Sequence, residues 1–146
     1  AFAHFINSVG GDVVSQQYRS TFSPSTVEAQ PTSMVCIFVI CAESNEQAEY
    51  LAKSIDHRRV MMATGQESAF MPSEEAANWQ YSELEKQIIQ RERHRIVLGT
   101  PASVKSQLSE IKNNFEADEL MILTITGDYP TRVKSYELIA DEFELH

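Results

Sequence analysis

The chain has 146 residues, 42% hydrophobic and 23% charged, which is enough for one domain with its own core and too apolar for a disordered segment. Its formal charge of −9, from 21 acidic against 12 basic residues, opposes binding to phosphate backbones, so nucleic acid is not expected as a partner. No apolar run reaches the ~18 residues of a bilayer span and no basic stretch precedes Phe2, so neither a membrane helix nor a leader is expected and the cytoplasm is the default location.

The chain opens in an apolar run, Ala1 to Ile6, that reads as a buried strand, followed by turn formers from Asn7 to Asp12. A helix is predicted from about Val13 to Phe22, with Val14, Tyr18 and Phe22 on one face. Ser23 to Ser33, which holds Pro24 and Pro31, is a connecting loop. Met34 to Ala42 is a continuous apolar run rich in β-branched residues, the pattern of a parallel strand covered on both faces. Cys36 and Cys41 are an odd number of residues apart on it, so they point to opposite faces and are expected as separate buried thiols.

Ser44-Asn45-Glu46-Gln47 has the form of a capping box and starts a helix whose buried stripe is Ala48, Leu51, Ala52 and Ile55, ending near Ala63-Thr64-Gly65. The pattern from Gln66 to Asn78 is weak, with a possible helix start at Pro72-Ser73. Tyr81, Leu84 and Ile88 mark a further helix to about Arg93, and 66–95 is set apart as a possible helical insertion or lid. Thr100 and Pro101 then suit the N-cap and first position of a helix carrying Val104, Leu108, Ile111 and Phe115. A strand from Glu119 to Thr126 and a last helix with Val133, Tyr136, Ile139 or Ala140, and Phe143 complete a β-α-β-α(α)-α-β-α order. That order is the grammar of a parallel α/β protein.

The run from Gly99 to Val104, then Ala117 to Ile122, then Arg132 to Ala140 with Ser135-Tyr136-Glu137-Leu138, resembles the C-terminal end of bacterial luciferase-like flavin monooxygenases. Phe2-Ala3-His4-Phe5-Ile6 is similar to that family's sixth barrel strand, Tyr18-Arg19 with Phe22 to Ser25 to the segment after it, and Cys41 to Ser44 with Glu46-Gln47-Ala48 to the end of strand seven and its helix. The likeness runs in one order along residues 1–146. It implies a partial (β/α)8 TIM barrel, about the last three β/α units with parallel strands; a complete barrel takes about 250 residues. Strands one to five, and with them most of the flavin and phosphate contacts, would lie outside this chain.

In such a barrel, function gathers at the C-terminal ends of the strands. The candidates for a cofactor or substrate pocket are therefore His4, Phe5 and Ile6, then Glu43, then Thr124 and Thr126, with no catalytic residue assigned. His4 lines the pocket or sits satisfied in the core. Glu43 faces the mouth or simply complements a helix N-terminus. The threonine hydroxyls, two residues apart, point the same way, into the barrel or onto the helix layer. Trp79 and Phe70-Met71 belong to the possible lid or are simply packed surface residues. The four histidines and two cysteines show no metal-ligand spacing, and neither a G-x-G-x-x-G turn nor a G-x-x-x-x-G-K-[ST] loop is present.

The resemblance implies an oxidoreductase using reduced FMN and O2 on a small organic substrate, inactive as this segment alone. Two alternatives remain: a deazaflavin (F420)-dependent hydride-transfer enzyme of the same barrel type, and a non-catalytic dimeric α/β remnant. An open inner barrel face, with Val35, Ile37 and Val39 or with Cys36, Phe38 and Ile40 on it, would form an apolar patch. The expected partner is accordingly an N-terminal half-barrel or a second copy of the chain.

Overall fold

The computed structural model describes residues 1–5, 10–66 and 69–145, and it is organised around one long strand, β2 (Ser33–Cys41). β1 (Phe2–Phe5) pairs in parallel with Ser33 to Cys36. β4 (Glu119–Leu123) pairs in parallel with Met34 to Phe38, so the two strands occupy opposite edges of β2. A fourth parallel strand, β3 (Ile96–Gly99), pairs with Phe38 to Cys41. His4 of β1 and Ile96 of β3 line one small cavity, which places β3 beyond β1 along the same edge.

Topology then dictates where the helices go. β1 to β2 through α1 (Gly11–Thr21), and β3 to β4 through α5 (Pro101–Phe115), step the same way across the sheet. β2 to β3 through α2 (Asn45–Ala63), α3 (Ser73–Asn78) and α4 (Glu83–Glu92) steps back. Right-handed crossovers put α1 and α5 on one face and α2 on the other. α6 (Tyr129–Glu142) joins the first group.

On the first face Val35, Ile37, Val39 and Cys41 pack with Val97, Val104, Leu108, Phe115 and Ile139. On the second, Ile40 and Ala42 pack under Ala48, Leu51, Ala52 and Ile55 of α2, with Phe38, Ile96, Leu98 and Ile125 at the margin. β2 is thus covered on both sides, as its unbroken apolar run predicts. The expected apolar patch survives only where α2 does not reach: Phe5 is 65% and Met121 52% exposed, both in register with Cys36 on the second face.

Several local expectations are corrected. β3 adds a strand to the three predicted, because Ile96-Val97-Leu98 is too short an apolar run to stand out before a helix start. β4 ends at Leu123, not Thr126. Of the predicted apolar face, Tyr18 stacks on Phe2 at 5.6 Å and meets Phe22 at 5.9 Å, but Val14 is exposed, and α1 is tied down beside them by polar contacts: the buried Ser15 hydroxyl donates to Phe115 O at 2.6 Å, and Arg19 donates to Ser33 Oγ at 2.9 Å and pairs with Asp118. A Cβ at Gly11 would fall 2.5 Å from the His4 ring, so only glycine lets this helix start so close to β1.

Ser44 caps α2 by accepting from Gln47 N–H at 3.2 Å, but the Gln47 side chain accepts from Glu43 N–H and not from Ser44. Thr100 holds the N-cap position of α5 without a side-chain hydrogen bond, and Pro101 follows it as predicted. The reciprocal box occurs at α4, between Ser82 and Glu85. Both cysteines are free and buried; burial raises both thiols, Cys41 to about 11 with help from Glu142, so thiolate chemistry is suppressed. Among the described residues no helix is long and apolar enough to cross a membrane.

Candidate functional site

The buried positions of α2 continue past Ile55 to Val60 and Met61, while Arg58, Arg59 and the exposed Met62 follow Ile55 at helical spacing along the side that faces a groove. There α2 overhangs the second face of the sheet and closes this groove, of about 370 Å³. Its apolar wall is Phe5, Phe38, Ile55, Met62, Phe70 and Ile125, and three guanidinium groups, Arg58, Arg59 and Arg95, border it. Arg59 lies over the Phe38 ring with Cζ 5.3 Å from the centroid, and Arg58 over the Phe70 ring at 5.7 Å.

The charges here are unequally satisfied. Arg95 is paired with the Glu92 carboxylate at 2.8 Å. Arg59 Nη1 donates to the main-chain carbonyl of Glu92 at 2.8 Å, while its buried Nη2 has no hydrogen-bond partner among the described residues. Burial, then the nearby Arg95 charge, lowers the affinity of Arg59 for its proton, yet a guanidinium stays charged in protein. An acidic chain therefore presents a cationic, aromatic-floored groove.

The α2–α4 unit that carries the arginines is fixed from behind. Buried Asp56 accepts from Arg93 Nη2 at 2.7 Å, and the same nitrogen lies 3.0 Å from Glu49. Burial raises the Asp56 carboxyl and Arg93 opposes the rise. Next to it His57, also buried, meets the Trp79 ring edge-on at 4.7 Å, with Tyr81 Oη 3.5 Å from Nδ1. Burial lowers the His57 pKa, against a smaller pull from Glu85, and pushes the Tyr81 phenol up to about 12. Ser54 and Ser73 hydroxyls meet at 3.0 Å, and a Cβ on Gly127 would come within 2.7 Å of Ser54 Oγ. The loop after β4 is thereby pressed against α2 and α3.

The candidate residues do not converge. Phe5 lines the groove. His4, one residue earlier, points to the other face, where its ring lies 5.2 Å from Phe115 in a cavity of about 40 Å³. Ile6 lies outside the described residues. Glu43 is exposed, 3.8 Å from Lys134 Nζ. Thr124 is buried, donating its hydroxyl to Val39 O at 2.8 Å and its N–H to Tyr136 Oη at 2.9 Å; the Thr126 hydroxyl donates to Asp128 O at 2.9 Å. Both hydroxyls act as backbone ties. The groove is instead completed by Arg58 and Arg59, which the sequence reading passed over. Their signal was a pair of arginines between Ile55 and Met62, at helical spacing from both. Among the described residues no cluster of His, Cys, Asp and Glu is suited to a metal ion.

No protein-family model matches the sequence. The chain is similar to an uncharacterized protein of Bacillus subtilis (strain 168), YceB, 37% identical over 142 residues, covering 97% of this chain and 43% of that protein. It is 32% identical over 124 residues to a luciferase-like monooxygenase of Escherichia coli (strain K12), covering 85% of this chain and 37% of that protein. The crystal structure of apo-MsnO8 superposes with a TM-score of 0.85 at 26% identity, over 99% of this chain and 44% of that one.

The chain belongs to the luciferase-like monooxygenase family. It spans about two fifths of the length of the relatives it matches, and its parallel sheet and helices correspond to part of their fold, as expected for the C-terminal part of a barrel.

Proposed function

We propose that this segment is the C-terminal part of a flavin-dependent monooxygenase that acts on a small organic molecule, and that the groove between α2 and the second sheet face is its contribution to the site. The observation that carries the proposal is the position of that groove. It is open beside the C-terminal half of β2, on the face away from α1, α5 and α6. A barrel of this kind has an outer helix layer and its chemistry at the C-terminal strand ends; α1, α5 and α6 supply that layer on the first face, so the second corresponds to the lumen, with α2 folded over the C-terminal end of β2.

The residues suit the group the family name implies. A flat apolar wall with Phe5, Phe38 and Phe70 matches an aromatic ring system or an apolar substrate body. A bound reduced flavin supplies the electrons with which dioxygen is activated; the share of this chain is to bind, orient and exclude water. Phe38 and Ile125 form the floor, α2 forms the wall, and residues 66–95 act as a lid that Asp56–Arg93 and Ser54–Ser73 tie to α2. His4, Glu43, Thr124 and Thr126 position these elements. The chain alone lacks the remaining barrel strands and is inactive by itself; the exposed Phe5 and Met121 edge accepts the N-terminal half-barrel or a second copy. The enzyme works in the cytoplasm.

Anaerobic titration of the full-length protein with reduced FMN, followed by mixing with dioxygen, tests the proposal. Saturable binding and slower flavin reoxidation than in free solution are expected. Absence of FMN binding, with oxygen-independent hydride transfer from reduced deazaflavin F420, would replace it by the second reading.

A further inference from the structure

We infer that the substrate carries an acidic group close to its apolar body, and that Arg59, seconded by Arg58, binds that group. The inference rests on the flavin-enzyme proposal above and goes further by naming a substrate class. Three observations support it.

Arg59 borders the groove with one face of its guanidinium over Phe38, yet only Nη1 is engaged, by a neutral carbonyl. Its Nη2 is buried without a partner, and among the described residues no carboxylate lies within ion-pair distance of Arg59. The neighbouring acids are engaged by other arginines: Glu92 by Arg95 and Arg91, and Asp56 through one oxygen by Arg93. A carboxylate in the groove would supply the anionic partner that this guanidinium lacks, and charge-assisted bonds of this kind are the stronger class.

The distance between charge and apolar wall decides what sort of anion fits. Both guanidinium groups lie within 6 Å of the ring they cover, at 5.3 and 5.7 Å from the Phe38 and Phe70 centroids. A ligand held by Arg59 and packed on Phe38 therefore has its charge within a few bonds of its apolar part. FMN does not fit that description, because a whole ribityl chain separates its phosphate from its rings. A small aromatic or branched aliphatic carboxylic acid does, and a groove of about 370 Å³ accommodates one.

Calorimetric titration of the full-length protein with 3-phenylpropionate and with its uncharged isostere 3-phenylpropionamide tests the assignment. The acid is expected to bind about tenfold tighter than the amide, as one charge-assisted hydrogen-bonded pair implies. Arg59→Gln should reduce that preference to less than about twofold, with the acid losing more affinity than the amide. Arg58→Gln, which does not disturb the Glu92 carbonyl, should reduce it partially and guards against misfolding of the first variant. Equal binding of acid and amide by the unaltered protein, or a preference that survives both substitutions, would overturn the inference. So would displacement of the acid by FMN but not by riboflavin, since the arginines would then serve the flavin phosphate. A protein that prefers the acid through Arg59 yet binds no reduced FMN would break the flavin proposal alone.

Discussion

The two faces of β2 bury the same kinds of side chain and are covered in different ways. On the first face α1, α5 and α6 close over Val35, Ile37, Val39 and Cys41, and the polar contacts there are short ties such as Ser15 to Phe115 O and Thr124 to Val39 O. On the second face a single helix covers the C-terminal half of the strand, a buried Asp56–Arg93 pair holds it from behind, and arginines border an open groove in front. The first arrangement is what a core needs. The second carries charge into partial burial, a costly placement that makes sense where a ligand completes it.

The largest effect expected is on the closed face. Leu108→Ala, at a residue 1% exposed, should cost about 3–4 kcal/mol in denaturant unfolding, because the well-packed helix layer cannot collapse into the void. On the charged face Asp56→Ala should cost about 3 kcal/mol, the low end for a broken buried pair, since Arg93 keeps Glu49. If Asp56→Ala were nearly silent, the second face would not be braced as described.

Ser15→Ala leaves the buried Phe115 carbonyl without its donor and should cost about 1–2 kcal/mol by the same measurement. His57 contrasts with these because its effect depends on pH. Its folded pKa is lowered from 6.5 by burial, so the unfolded chain binds the extra proton first as pH falls, and stability declines as pH drops below 6.5 towards the folded value. Unfolding curves of His57→Gln should lack this decline, whose slope cannot exceed about 1.4 kcal/mol per pH unit. An unchanged slope would mean that the ring is not held neutral. Smallest of all is Leu84→Ala, at a residue 65% exposed on α4, with a change of at most about 0.5 kcal/mol.

The fold was largely legible because its signals are local and periodic. The β2 run, the α2 stripe ending at Ala63, and Pro101 opening α5 all depend on neighbouring residues, and the structure realises each. The N-terminal helix was read less well: its hydrophobic residues Val13 and Val14 are exposed, and beside Tyr18 docking runs through Gly11 and Ser15, whose value depends on a helix about 100 residues away. The candidate site fared similarly. Phe5 was chosen from its strand end, but Arg58 and Arg59 acquire meaning only when the backward step from β2 to β3 lays α2 over the second face. Thr124 and Thr126 show the converse. Their hydroxyls stood out as chemistry in the sequence and serve as backbone ties in the fold.

The central claim, that the second face is the ligand-binding side, is tested most directly by hydrogen–deuterium exchange of the full-length protein with and without reduced FMN and 3-phenylpropionate. The account predicts ligand-dependent protection in peptides covering 53–63 and 124–128, with those from α5 and α6 unchanged. Ligand binding that protects α5 and α6 and leaves 53–63 untouched would contradict it.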